Sequence, residues 1–198
     1  MTDKPKHSDF TSITLVDLDG TLVKGNTWPH FARLVLRRSW RRLRLWDFAV
    51  IGTMLALRRM RLVSHVRVKR CVMLRSHNIL NQTDIEAFAR AMSRLFNPEV
   101  TSMLDEARRE GAHIVLATAA AGEYAPLIAR EAGISTVLCT PEAAKGVPYA
   151  ECRGERKADA AESLAGRMQL PVTLVITDHP DDLPLFRRFP DARHILVK

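Results

Sequence analysis

Asp17-Leu18-Asp19-Gly20-Thr21, close to the start of the chain, constrains the fold more than any other stretch. The run before it, Ser12-Ile13-Thr14-Leu15-Val16, is apolar and β-branched, as a buried parallel strand is. Two carboxylates therefore stand two residues apart at the C-terminal tip of a first strand. In an open α/β sheet that tip is where ligands bind. A strand alternates faces, so positions i and i+2 can point the same way. Two like charges held that close are costly unless a cation, or one proton, separates them. The arrangement points to a metal, or to an acid beside a nucleophile. An Asp-rich turn with Gly20 at a positive φ fits the same five residues equally well. The rest of the chain has to decide.

Beyond this pentapeptide the pattern turns helical. From Thr27 to about Phe96 four helices are expected: one opening at Thr27-Trp28-Pro29, one over Phe48–Leu57, one over Ser64–Leu74, and one from the capping box Thr83-Asp84-Ile85-Glu86. About 70 residues of helix before the next strand exceed a simple crossover. They read as an inserted helical subdomain. This segment also holds the positive charge. Thirteen Arg/Lys and one acid, Asp47, lie between Arg33 and Arg75, so the rest of a chain of net charge +8 is acidic. Such a patch attracts a phosphorylated substrate, an acidic lipid surface or nucleic acid, and it also fits a solvated arginine-rich helix face. The ten apolar residues Phe48–Leu57 are too few to span a bilayer, which takes about 20. They suit a core helix of a small bundle, or a helix lying at a membrane interface.

Strand and helix then alternate: a helix from Asn97-Pro98 closed by Gly111, a strand at Ala112–Ala117, a helix at Tyr124–Ala132, a strand at Thr136–Cys139, a loop with room for a hairpin at Pro141–Arg153, a helix at Lys157–Met168, a strand at Val172–Ile176, a short helix at Asp181–Arg188 and a strand at Arg193–Val197. This pattern predicts a parallel sheet covered on both faces. The three cysteines, Cys71, Cys139 and Cys152, are odd in number and far apart. They argue against a disulfide framework or zinc site and for a reducing compartment. The opening MTDKPKHSDF has no apolar signal core. The expected location is the cytoplasm, with peripheral membrane contact through the basic segment as the variant.

Three strands end in polar residues, Asp17/Asp19, Thr118 and Asp178, and Lys157 opens a helix. If the strands are neighbours, these groups line one crevice. Asp17 and Asp178 offer the hard oxygen ligands that Mg²⁺ takes. Thr118 and Lys157 suit a phosphoryl group. No His/Cys ligand set competes, and no Gly-rich nucleotide loop is present.

With these residues in place, the chain resembles the haloacid dehalogenase superfamily, in its phosphoserine-phosphatase-like branch with a helical cap inserted after the first strand. The match spans nearly the whole sequence. Asp17-Leu18-Asp19-Gly20-Thr21 is similar to the family's first motif, Thr118 in Leu116-Ala117-Thr118-Ala119-Ala120 to the second, Lys157 after Gly154-Glu155-Arg156 to the third, and Thr177-Asp178-His179-Pro180-Asp181-Asp182-Leu183-Pro184-Leu185 to the fourth. The fold it implies is α/β, a Rossmann-like doubly wound parallel sheet with an all-helical cap. The core would comprise residues 1–24 and 98–198, and the cap residues 25–97.

The resemblance implies a Mg²⁺-dependent phosphomonoester hydrolase working through an aspartyl-phosphate. Asp17 is the expected nucleophile and Asp19 the acid and base. Asp17, the Asp19 carbonyl and Asp178 would hold the metal. Thr118, Lys157, Gly20, Thr21, Ala119 and Asn26 are the expected phosphate and substrate contacts. Asp182 would orient Lys157 or a metal-bound water. His179 replaces the usual small serine, either touching substrate or simply tolerated in a loop. Asn26 stands where phosphoserine phosphatases carry the glutamate that reads the substrate amine, which argues against phosphoserine. The arginine-rich cap with Trp28, Trp40 and Trp46 is similar in general character to lipid-phosphate members of the branch. The expected substrate is thus a small phosphorylated metabolite or a lipid phosphate. A catalytically weak binding module is the alternative, as is a protein binding anionic membrane or nucleic acid through the cap. Few aromatics and no nucleic-acid motif speak against the last. Substrate and oligomeric state stay open at this level.

Overall fold

The structure, a computed structural model, describes residues 10–197. The expected absence of an N-terminal signal core falls on residues outside that range, apart from Phe10. Five strands form one wholly parallel sheet in the order β3-β2-β1-β4-β5: β1 (Ser12–Val16), β2 (Ala112–Ala121), β3 (Thr136–Thr140), β4 (Val172–Thr177) and β5 (Arg193–Leu196). The first strand is therefore central, flanked by β2 and β4, with Val16 in register with Leu116 on one side and Ile176 on the other. That order makes the strand ends carrying Asp17, Thr118 and Asp178 neighbours.

Each strand shows its two faces to different cores, as period-2 alternation requires. Ile13, Leu15, Val115 and Val175 pack with Ala158, Ala161 and Leu164 of α7 (Glu155–Met168) and with Leu185 of α8 (Leu183–Arg188). Val16, Ile114, Leu116 and Ile176 pack on the other face with Val100 and Leu104 of α5 (Pro98–Arg109) and with Ile128 of α6 (Ala125–Glu131).

Four helices lie between β1 and α5: α1 (Thr27–Arg41), α2 (Leu45–Arg59), α3 (His65–Ile79) and α4 (Gln82–Ser93). The chain enters and leaves them through one short tie, in which Val23 bridges Phe96 and the Asn97 N–H donates to the Leu22 carbonyl at 2.8 Å. The segment is also packed onto the sheet layer. Phe31 of α1, Phe88 of α4 and Tyr124, just before α6, form a buried aromatic trio with ring centroids 4.7 to 5.4 Å apart. Aromatic pairs at this spacing add stability beyond the area they bury.

Helix starts shift slightly from the sequence expectation. Asn26 caps α1, its side chain accepting from the Trp28 N–H, so Thr27 is the first helical residue. Asn81 caps α4 in a reciprocal box with Asp84, two residues ahead of the expected start at Thr83. Both asparagines outrank threonine as caps. Strand β2 runs on past Thr118 to Ala121, where it still pairs with β3 through Ala121 opposite Thr140. Residues 141–153 form no hairpin. Their backbone wraps against side chains instead, with the Ala143 N–H on Glu123 at 2.9 Å and the Cys152 N–H on the Thr140 hydroxyl at 3.0 Å.

Candidate active site

Asp17 follows directly on β1, and its N–H donates to the Ile176 carbonyl at 3.0 Å, as the ladder continues. Its carboxylate is buried at the bottom of a cavity of about 420 Å³. Lys157, on the first turn of α7, reaches across to it: Nζ lies 3.0 Å from Asp17 Oδ1 and 2.7 Å from Asp182 Oδ1. Asp182 in turn accepts the Thr177 hydroxyl at 2.6 Å. One buried lysine thus serves two buried carboxylates. Burial pulls the Lys157 pKa down, but Asp17 and Asp182 outweigh it and leave it above the ordinary lysine value. Burial pushes Asp17 up to about 7 although Lys157 pulls the other way. The pocket therefore holds a carboxylate poorly compensated for its depth, a site that favours a second cation.

Asp19 has a different environment. The turn after Asp17 brings it beneath the first residue of α1, where its Oδ1 accepts the Thr27 N–H at 2.6 Å. Burial raises its pKa, opposed by the N–H and hydroxyl of Thr27. The Thr27 hydroxyl also lies 3.3 Å from the buried Tyr124 hydroxyl, within hydrogen-bond reach. The helical segment thus fixes the second carboxylate directly.

Gly20 permits this turn. It sits at φ +79°, and a Cβ there would lie 2.6 Å from Asp178 Cγ. No side chain fits while Asp178 keeps its place. Asp178 is steadied by the Thr21 hydroxyl at 3.1 Å. Thr21 itself is fully buried, so its polar atom serves Asp178 rather than the cavity. Thr118 is buried beside the cavity and its hydroxyl accepts the Ala120 N–H at 3.1 Å. Ala119 lines the cavity, but its carbonyl is occupied by Lys69 Nζ at 2.8 Å and by the Thr140 hydroxyl at 2.8 Å. Asn26 lines it as well, with its Oδ1 committed to capping α1 at 2.9 Å from the Trp28 N–H. His179 is exposed at the rim. Its Nδ1 accepts the Asp181 N–H at 3.1 Å and so caps the turn Pro180–Asp182.

Asp17, Asp19, Gly20, Asn26, Thr118, Ala119, Lys157, Asp178, His179 and Asp182 all line one cavity, as the sequence expects. Sequence reasoning missed its upper wall. Lys69 of α3 is buried and pairs with Glu151 at 2.6 Å. Trp28 and His65 meet edge to face at 5.8 Å, and burial holds the His65 imidazole below the ordinary value. Arg153 completes the rim, paired with Asp181. Lys69 had a legible signal. It lies on the same helical face as Val68, Val72 and Met73, where a lysine is buried only with a partner. Glu151 and Arg153 sit in an irregular loop with no local pattern to read.

The ligands on offer at Asp17 and Asp178 are carboxylate oxygens; of the two histidines lining the cavity, His179 spends Nδ1 on the Asp181 N–H and His65 packs against Trp28, and no cysteine lines it. Among the described residues no cluster of three or more acidic, histidine or cysteine side chains forms a metal cage. Two carboxylates and a backbone carbonyl are what remain, a set for a hard cation that keeps waters, and Mg²⁺ fits it. The lack of a side chain at Gly20 lets Asp178 lie directly against the Asp17–Thr21 turn.

A sequence model of the haloacid dehalogenase-like hydrolases matches residues 14–187. No curated protein matches the chain. Among solved structures, a protein of unknown function from Bordetella pertussis Tohama I superposes with a TM-score of 0.70 at 16% identity, over 94% of this chain and 90% of that one. A phosphoserine phosphohydrolase-like protein from Francisella tularensis gives 0.56 at 16% identity, covering 94% and 87%. A substrate-bound phosphoserine phosphatase gives 0.59 at 12% identity, covering 95% and 93%. At these identities the likeness establishes the shared fold.

Proposed function

The chain belongs to the haloacid dehalogenase-like hydrolases, and from that premise we propose that it is a Mg²⁺-dependent phosphomonoester hydrolase using Asp17 as nucleophile. The observation that carries the reading is the contrast between two neighbouring carboxylates. Asp17 lies on the floor against a lysine, and Asp19 lies above it against a helix N-terminus with no lysine bonded to it. Pairs of acids in unlike environments divide nucleophile and acid–base work between them.

In the first step an Asp17 oxygen attacks phosphorus and the bond to the ester oxygen breaks. Asp19 gives a proton to the leaving oxygen, a role that its burial-raised pKa favours. In the second step Asp19, now a carboxylate, takes a proton from water. The water oxygen attacks phosphorus, the bond to Asp17 breaks, and phosphate leaves. Thr118 and Lys157 border the phosphoryl group's place and stabilise its oxygens. Asp182 and Thr177 keep Lys157 from swinging away. Asp17, Asp178 and the Asp19 carbonyl would hold Mg²⁺, which supplies charge neutralisation between nucleophile and phosphate.

Residues 25–97 act as the cap in this reading. Trp28, His65 and Lys69 come from it and face the leaving group. The cavity volume of about 420 Å³ suits a small phosphometabolite or the headgroup end of a lipid phosphate. Asn26 is neutral, and its oxygen is spent on α1, so the amine of phosphoserine finds no counter-charge there. A screen of phosphomonoesters with Mg²⁺ tests the proposal. Hydrolysis of at least one ester by wild type and none by Asp17→Asn is the expected result. Inactivity of wild type on the whole panel, across divalent metals and pH, overturns it.

A further inference from the structure

Helix α2 has one face that the rest of the molecule does not cover. Its inner side, Asp47, Ile51, Met54 and Leu55, packs toward α1 and α3. On the opposite side Trp46, Ala49, Thr53, Ala56 and Met60 follow at helical spacing, and all five are exposed. Leu45 flanks them, and half-exposed Val50 and Leu57 border the same stripe. From Phe48 to Leu57 there is no charged residue. The ends of the face are its most apolar parts. Trp46 is 76% exposed, Met60 66%, and at the turns beside them Trp40 is 58%, Leu43 81% and Leu62 66% exposed. Large side chains held in solvent over a continuous face mark an interaction surface.

The charges around this face say what it meets. Arg41, Arg42 and Arg44 stand at one end, and Arg58, Arg59 and Arg61 at the other. Arg42 and Arg44 hold Asp84 and Asp47, while Arg41, Arg58, Arg59 and Arg61 are exposed. The pattern is an apolar strip with cations at both ends. A second copy of the chain is a poor match, since a two-fold pairing of this face sets arginines against arginines. A sheet of anionic headgroups over an apolar interior complements both parts at once. Tryptophan favours that boundary, and arginine stems let their guanidinium groups reach phosphates.

We propose that this face of α2 is a peripheral docking surface for anionic membrane. The helix lies flat in the interface, with Trp46 and Met60 dipping below the headgroups. It does not cross: its 15 residues make about 22 Å, short of a hydrocarbon core of about 30 Å. No helix among the described residues is long and apolar enough to span. The Met60 end runs through the 60–64 turn into His65, which lines the candidate active site. The proposal stands independently of the hydrolase reading.

The test is co-sedimentation with vesicles of phosphatidylglycerol and phosphatidylcholine, compared with phosphatidylcholine alone, at low and high salt. Wild type is expected to pellet with the anionic vesicles at low salt and to be released by salt. Thr53→Glu, which places a charge in the middle of the exposed strip, should lower the bound fraction about tenfold with unchanged circular dichroism and unchanged aryl phosphate hydrolysis. In a Trp28→Phe, Trp40→Phe protein, the remaining Trp46 should shift its emission to the blue on binding. Failure to pellet with anionic vesicles at low salt overturns the proposal. So does Thr53→Glu binding as wild type does. A dimer in sedimentation velocity that Thr53→Glu dissociates would assign the face to a second copy and overturn it too.

Discussion

Replacing Lys157 by methionine strikes at the buried Asp17–Lys157–Asp182 cluster under the cavity. The substitution keeps an unbranched side chain one atom shorter and removes the cation bonded to both Asp17 and Asp182. Two buried carboxylates then face each other across an apolar thioether. Breaking a buried ion pair by deleting one partner costs about 3–5 kcal/mol. For a chain of this size that lowers Tm by roughly 10 °C. The loss must depend on pH, and its sign follows from Asp17. Burial already holds the folded-state pKa of Asp17 at about 7, above the unfolded value of 3.8, with Lys157 pulling it down. Removing Lys157 raises it further. A group whose folded pKa is raised supports stability below its unfolded pKa and loses that support as pH rises through the folded value. The gap between wild type and Lys157→Met should therefore be small in mild acid and widest above neutrality. Thermal unfolding followed by circular dichroism, with chelator present in both proteins, reads it directly. A gap of the same size at about pH 5 and about pH 8 would refute the reasoning, and so would no gap at all.

Gly20→Ala should leave the fold in place and cripple the site: positive φ costs an alanine about 1–2 kcal/mol, while its Cβ displaces Asp178, so Mg²⁺ affinity falls by tenfold or more by titration calorimetry. Phe88→Ala opens the aromatic trio that seats α4 on α6 and should cost about 3–5 kcal/mol in denaturant unfolding. Asp19 carries a raised pKa, so kcat/KM should fall as pH climbs through that pKa, and Asp19→Asn should abolish that limb together with most of the rate. Lys69→Met with Glu151→Gln removes the buried pair at the leaving-group end without touching Asp17, and should change KM and substrate preference more than hydrolysis of a generic aryl phosphate.

The core was legible because its signals are local. Asp17, Thr118 and Asp178 each close an apolar run, and Lys157 sits in the first turn of a helix that follows Gly154. The order of the strands was not legible, since a parallel sheet gives no local sign of which strand lies beside which; the central place of β1 comes from the packed structure. Helix starts were misplaced by one or two residues where two capping residues stood in tandem, Asn26 beside Thr27 and Asn81 ahead of Thr83. The upper wall of the cavity was lost for a different reason. Lys69 shows itself only as a lysine on an apolar helix face, while Glu151 and Arg153 sit in an irregular loop, and the three meet only when α3 and the 141–153 loop have docked. His179 illustrates the reverse: a residue that stands out in its motif spends one ring nitrogen capping a short turn.

The proposed mechanism requires Asp17 to become covalently phosphorylated. The direct measurement is acid quench of wild type and Asp17→Asn during turnover of an aryl phosphate with Mg²⁺, followed by peptide mass analysis. One added phosphoryl group is expected on the peptide bearing Asp17, labile to hydroxylamine and absent from Asp17→Asn. Turnover by wild type with no phosphoryl group on that peptide at any quench time, together with retained turnover by Asp17→Asn, would contradict it.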